Sequence, residues 1–121
     1  MMAPARVTTT LVTGASPAAR EAAIGALLAP GLSTTVLLEG LPDGRTLLAP
    51  SDTLLIQRIA PGCLHCTGNL VLRVTLNRIL RRPPERLYIG LAATEHLDQL
   101  RSWLCSSPYD QLLELTPDLI T

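Results

Sequence analysis

The stretch Arg6-Val7-Thr8-Thr9-Thr10-Leu11-Val12-Thr13-Gly14-Ala15-Ser16-Pro17-Ala18-Ala19-Arg20-Glu21 sets the reading of the chain. Val, Thr and Leu dominate Arg6 to Thr13, a composition that suits an extended strand. Gly14-Ala15-Ser16-Pro17 turns the chain. Ser16 is a strong helix N-cap and Pro17 fits the first helical position, where its missing N–H costs nothing. Ala18 to Ala29 then has high helix propensity and stops at Pro30-Gly31. A strand, a tight turn and a helix in that order are the opening of an α/β unit.

Working outward, Ser33 to Glu39 reads as a second strand around Val36-Leu37-Leu38, and Leu41-Pro42-Asp43-Gly44 as a turn. A short strand over Arg45 to Leu48 and a better one over Thr53 to Ile59 follow. Ala60-Pro61-Gly62 breaks the latter. A helix is expected from Asn69 to Arg82, with Leu72, Leu76, Ile79 and Leu80 on its apolar stripe. Arg78, Arg81 and Arg82 lie in its last turns, where cations suit the dipole, and with Arg73 they read as a solvated face. Arg86 to Ala92 is a compact strand, Glu95 to Leu104 a helix, and Gln111 to Leu115 a final strand. Strands alternating with helices predict an α/β layered fold with a mainly parallel sheet flanked by helices.

The 121 residues make one domain with a core of Leu, Val, Ile and Ala, since aromatics are only 2% of the chain. Formal net charge is zero, which argues against a broad electrostatic grip on nucleic acid or acidic lipid. All ten basic residues are Arg. The start of the chain lacks the apolar stretch of a secretory signal, and no apolar run is long enough to cross a bilayer. A cytoplasmic protein is expected, with three cysteines kept mostly reduced.

Two stretches carry chemistry. Gly14 to Glu21 sits where a phosphate loop, G-x-x-x-x-G-K-[ST], would lie between strand and helix. Gly14 matches. Ala19 replaces the second glycine, Arg20 the lysine, and Glu21 the hydroxyl residue that would ligate magnesium. Pro17 removes an amide from the would-be anion nest, and the planar guanidinium of Arg20 is no substitute for a lysine point charge. The competing reading is a well-capped helix start that binds nothing. The second stretch is Cys63-Leu64-His65-Cys66. Two thiolates and an imidazole within four residues suit zinc, leaving one coordination position open for exchange. The fourth ligand would be water, a second subunit, Cys105 or His96. Cys63 and Cys66 also form a C-x-x-C pair, so a redox dithiol and an inert thiol pair fit the same spacing. His96 reads as solvated at a helix start, Cys105 as a buried free cysteine, and Glu39 and Asp43 as ordinary loop residues.

Together these residues resemble the CobW family of metal-chaperone GTPases. Gly62-Cys63-Leu64-His65-Cys66 looks like that family's G-C-x-C-C motif, with His65 in place of the middle cysteine. Arg86 to Glu95 looks like its later strand, with Gly90 where a glutamate is expected. The resemblance implies a phosphate-loop NTPase-like fold and transition-metal binding, zinc above all, through Cys63, His65 and Cys66, in a metal-chaperone or metal-homeostasis role. Gly14, Ala19, Arg20 and Glu21 become a vestigial nucleotide loop. Its departures count against GTP and magnesium, and more strongly against hydrolysis, so no enzyme activity is expected. The chain stops before a guanine-reading N-K-x-D motif, which implies a single truncated domain over 1–121 lacking the second half of a full G domain. The alternatives are weak residual GTP binding, or a non-enzymatic regulatory or scaffold partner. Such a scaffold would pair with another copy or with a full-length relative, using Leu112, Leu113 and Leu115 as its surface.

Overall fold

The computed structural model describes residues 6–14, 16–29, 31–40, 48–59, 70–92 and 97–121. Strand β1 (Val7–Thr13) leads into helix α1 (Pro17–Leu27), then β2 (Thr34–Glu39) and β3 (Leu54–Ile59). Helix α2 (Leu70–Leu80), β4 (Arg86–Gly90) and α3 (Leu97–Leu104) follow. A 3-10 turn (Tyr109–Gln111) precedes β5 (Leu113–Leu115) and β6 (Leu119–Ile120). The expected strand over Arg45 to Leu48 is not reached at Leu48, which lies in a bend; 41–47 fall outside the described residues.

The sheet order is β3-β2-β4-β1-β5, with β6 also on β1, and every pairing between these strands is parallel. The path from β1 to β2 moves toward the β3 edge, while those from β3 to β4 and from β4 to β5 move the other way. Crossovers of one hand then put α1 on one face of the sheet and α2 with α3 on the other. The core is divided in the same way. Ile24 of α1 packs with Val12, Val36, Leu38, Leu54 and Tyr88. On the opposite face Leu72, Leu76 and Ile79 of α2 and Leu100 and Leu104 of α3 pack with Leu11, Leu37, Leu87 and Ile89. Period-two alternation explains the division: Leu11 and Val12, Leu37 and Leu38, or Leu87 and Tyr88 are neighbours in sequence and therefore face opposite layers.

This is an α/β fold with a parallel sheet of six strands flanked by helices, compatible with a phosphate-loop-like layered architecture. The arginines of α2 and of the turn that follows it are solvated, since Arg73, Arg78, Arg81 and Arg82 are all exposed. Among the described residues no helix is long and apolar enough to cross a membrane. Two expectations about the end of the chain also fail. Leu113 is a core residue at 3% exposure, which leaves only Leu112 of the expected leucine surface open to solvent. Cys105 is exposed rather than buried, because it follows α3 just past Leu104, the last residue turned to the core.

Candidate functional site

The chain leaves β1 toward one face and β4 toward the other, so the crevice outside their carboxyl ends is the point where the winding reverses. In open parallel sheets that crevice is the usual ligand position. It is built from Thr13-Gly14, the start of α1, Glu39 at the end of β2, and Gly90-Leu91-Ala92.

The start of α1 satisfies its own donors. Ser16 Oγ accepts from the Ala19 amide at 3.0 Å, and the Ser16 carbonyl accepts from the Arg20 amide at 3.2 Å. Pro17 at the first position has no N–H to offer. Two first-turn amides are thus taken and a third does not exist, which leaves little of an anion nest. Ser16 and Pro17 act as the sequence indicates: they begin a capped helix.

Arg20 and Glu21 are both buried, at 4% and 2% exposure. Arg20 Nη1 donates to the Gly14 carbonyl at 2.6 Å, so its head is held by the turn that precedes its own helix. Burial pushes its pKa down from the usual arginine value, and Glu39 and then Glu21 partly oppose that shift. The Oε1 of Glu21 accepts from Arg58 Nη2 on β3 at 3.0 Å. Glu39 is also buried and accepts from the Ala92 amide at 2.8 Å, which ties the end of β2 to the exit of β4. Glu39 is therefore the last residue of a strand and part of a charged cluster, not the loop residue its sequence suggests; Asp43 lies outside the described residues. Two arginines and two glutamates meet here with no net charge, an arrangement suited to holding chain ends together and unsuited to attracting phosphate. One sequence signal for it exists: Arg20, Ile24 and Leu28 recur at i, i+4, which places Arg20 on the buried stripe of α1.

Gly14 is covered by Thr121. The Thr121 amide and hydroxyl both donate to the Thr13 carbonyl, at 2.9 and 3.0 Å, and a methyl group built on Gly14 would overlap the Thr121 hydroxyl. Ala19 points to solvent. At Gly90 a Cβ would stand 2.9 Å from a methyl of Leu38. A side chain at this position, where the CobW-like pattern would have glutamate, would require the Leu38 side chain to shift.

Cys63, His65 and Cys66 lie outside the described residues, as does His96. Their described flanks are Ile59, at the carboxyl end of β3, and Leu70, which opens α2 at the same edge of the sheet. Cys105 follows the far end of α3, at the opposite edge. Among the described residues no group of three or more His, Cys, Asp or Glu side chains is arranged to hold a metal. Comparison with family models, with curated proteins and with solved structures gives no match to this chain. The CobW resemblance therefore rests on the quoted residues alone.

Proposed function

We propose that this chain is a metal-binding protein of phosphate-loop-like, CobW-like fold that takes up a transition metal, zinc above all, through Cys63, His65 and Cys66 and does not hydrolyse nucleotide. The observation that carries the reading is the engagement of Arg20 and Glu21 inside the protein. The residues standing in the lysine and magnesium positions of the loop are buried against Gly14 and Arg58, so the nucleotide half of the motif is structural. The segment that leaves β3 keeps its ligand chemistry. Two thiolates and an imidazole bind zinc with one position open, and an open position permits transfer by ligand exchange. In this reading metal is cargo, and the protein stores it or hands it on.

The test is metal content. Protein purified from cells in zinc-supplemented medium should carry close to one zinc per chain, and Cys63→Ser with Cys66→Ser should remove it. Failure of the unaltered protein to take up metal at micromolar free zinc overturns the proposal. A fluorescent GTP analogue should show no saturable binding below about millimolar concentration, since phosphate charge and magnesium lack their usual partners.

A further inference from the structure

The two edges of the sheet are unlike. One ends in β5 and β6, three and two residues long, and edge strands that short offer little to pair with. The other is β3, six residues in unbroken register with β2 from Leu54 to Ile59. It carries no proline, bulge or free charge to keep another strand away, because its one charged residue, Arg58, is taken by Glu21. Among the described residues no strand lies beyond it.

The ladder with β2 fixes which backbone groups of β3 remain free. The Thr53 carbonyl accepts from the Thr34 amide at 2.8 Å, and the Ile59 carbonyl from the Gly40 amide at 2.7 Å. The odd-numbered residues of β3 therefore turn their N–H and C=O groups to β2, and the even-numbered ones turn theirs outward. Leu54 is already engaged: its amide and carbonyl bond Ser51 across a tight turn, at 3.3 and 3.0 Å. Ile56 and Arg58 are left, each with an outward donor and acceptor that take no partner among the described residues. The odd-numbered side chains lie on the α2 face, since Gln57 is in register with Leu37 and Ile59 packs on the same core. Leu55 is 61% exposed on that face.

We propose that a second copy of this chain docks on this edge, with the two β3 strands antiparallel about a two-fold axis at Gln57, so that the sheet continues from one copy into the next. In that register Ile56 and Arg58 of each copy face Arg58 and Ile56 of the other as hydrogen-bonded pairs, and every free group finds a partner. Leu55 is set against Ile59 of the other copy, an apolar cross-strand pair on the α2 face, and Gln57 meets Gln57 at the axis. An axis at Ile56 would bring Arg58 against Leu54, whose groups Ser51 already holds. The occupant is a second copy because the free groups are reciprocal about Gln57, as an isologous interface requires. A net charge of zero puts no overall repulsion between copies. The interface is independent of the metal reading and stands or falls separately.

The test is sedimentation velocity of the full chain from about 1 μM to about 1 mM, covering dissociation constants across that range. Chelator and reductant are present, so that neither metal nor a disulfide can join two copies. A dimer should accumulate with concentration. Gln57→Glu and Gln57→Lys each set like charges against each other at the axis, and each should weaken dimerisation at least about tenfold. An equimolar mixture of the two variants should recover it, since the facing charges then attract. A circular-dichroism melt checks that the variants fold. If either does not, Gln57→Cys decides: without reductant it should crosslink to its counterpart through residue 57, identified by peptide mass mapping. Leu55→Cys, about 13 Å or more from its counterpart in this register, should not. A monomer at every concentration, the result expected if the edge serves an extended strand of another protein, overturns the proposal. So does a dimer that neither charge variant weakens, one that the mixture fails to recover, or equal crosslinking at positions 55 and 57.

Discussion

Replacing Glu21 by Gln keeps the side-chain shape and removes only the charge. Arg58 Nη2 then loses its carboxylate partner at 3.0 Å, and Arg20 loses one of the two glutamates that oppose its desolvation. Breaking a fully buried ion pair costs about 3–5 kcal/mol, whereas an exposed pair contributes about 0.2–1 kcal/mol. The Glu21 side chain is 3% exposed and that of Arg58 20%, so the pair lies nearer the buried limit but is partly screened from the Arg58 side. A destabilisation of about 2 kcal/mol follows. For a chain of this length that is a fall in Tm of about 8 °C, or a shift of about 1 M in the urea midpoint. A double-mutant cycle with Arg58→Met should return a coupling energy above about 1 kcal/mol. The reasoning is refuted if Glu21→Gln lies within about 0.5 kcal/mol of the unaltered protein with no coupling to Arg58. Micromolar, magnesium-dependent binding of a GTP analogue to the unaltered protein would refute it equally, because Glu21 would then be standing beside phosphates.

Gly14→Ala should push Thr121 off β1, costing about 1–2 kcal/mol for its two bonds to Thr13; amide exchange of Leu119 to Thr121 should accelerate while that of the β1–β4 pair stays slow. Ser16→Ala should cost about 1 kcal/mol through the lost Ala19 cap, read by urea unfolding. Burial raises the pKa of Tyr109 above its usual value, with Arg73 partly offsetting this, and the hydroxyl donates to Asn77 Oδ1 at 3.0 Å. A group whose folded pKa is raised contributes stability that is complete below the unfolded pKa, near 10 for tyrosine, and lost as pH rises through the folded value. Unfolding experiments at pH 8 to 11 should show that loss, and Tyr109→Phe should flatten it. The absence of lysine removes one class of competing titration from this pH range.

Five strands and three helices are legible in the sequence because each is a local pattern: Val-Thr runs, the Ser16-Pro17 cap, and the Leu72-Leu76-Ile79 stripe. Strand β6 is not, since two residues carry no period and Thr116-Pro117-Asp118 reads as a break. The charged cluster is only half legible. The i, i+4 spacing with Ile24 points Arg20 inward, but the partner of Glu21 is 37 residues away on another strand, and no local rule names it. Glu39 misleads for the same reason: an acidic residue before a Gly-Leu-Pro turn looks solvated until the exit of β4 is brought against it. The cysteine motif is the reverse case. Its chemistry is plain in the sequence, and it lies outside the described residues.

The position of β1 has a consequence for the making of the protein. It is synthesised before all of its partners, residues 86–90, 113–115 and 119–120. At about 5–20 residues per second, Thr8 waits about 4–16 s for Arg86, the first of its partners, to be made. For that interval Val7, Leu11 and Val12, which the finished fold buries almost completely, have no sheet to join. The strand that gathers three partners is made before all of them, so β1 is the segment that a ribosome-associated chaperone would hold.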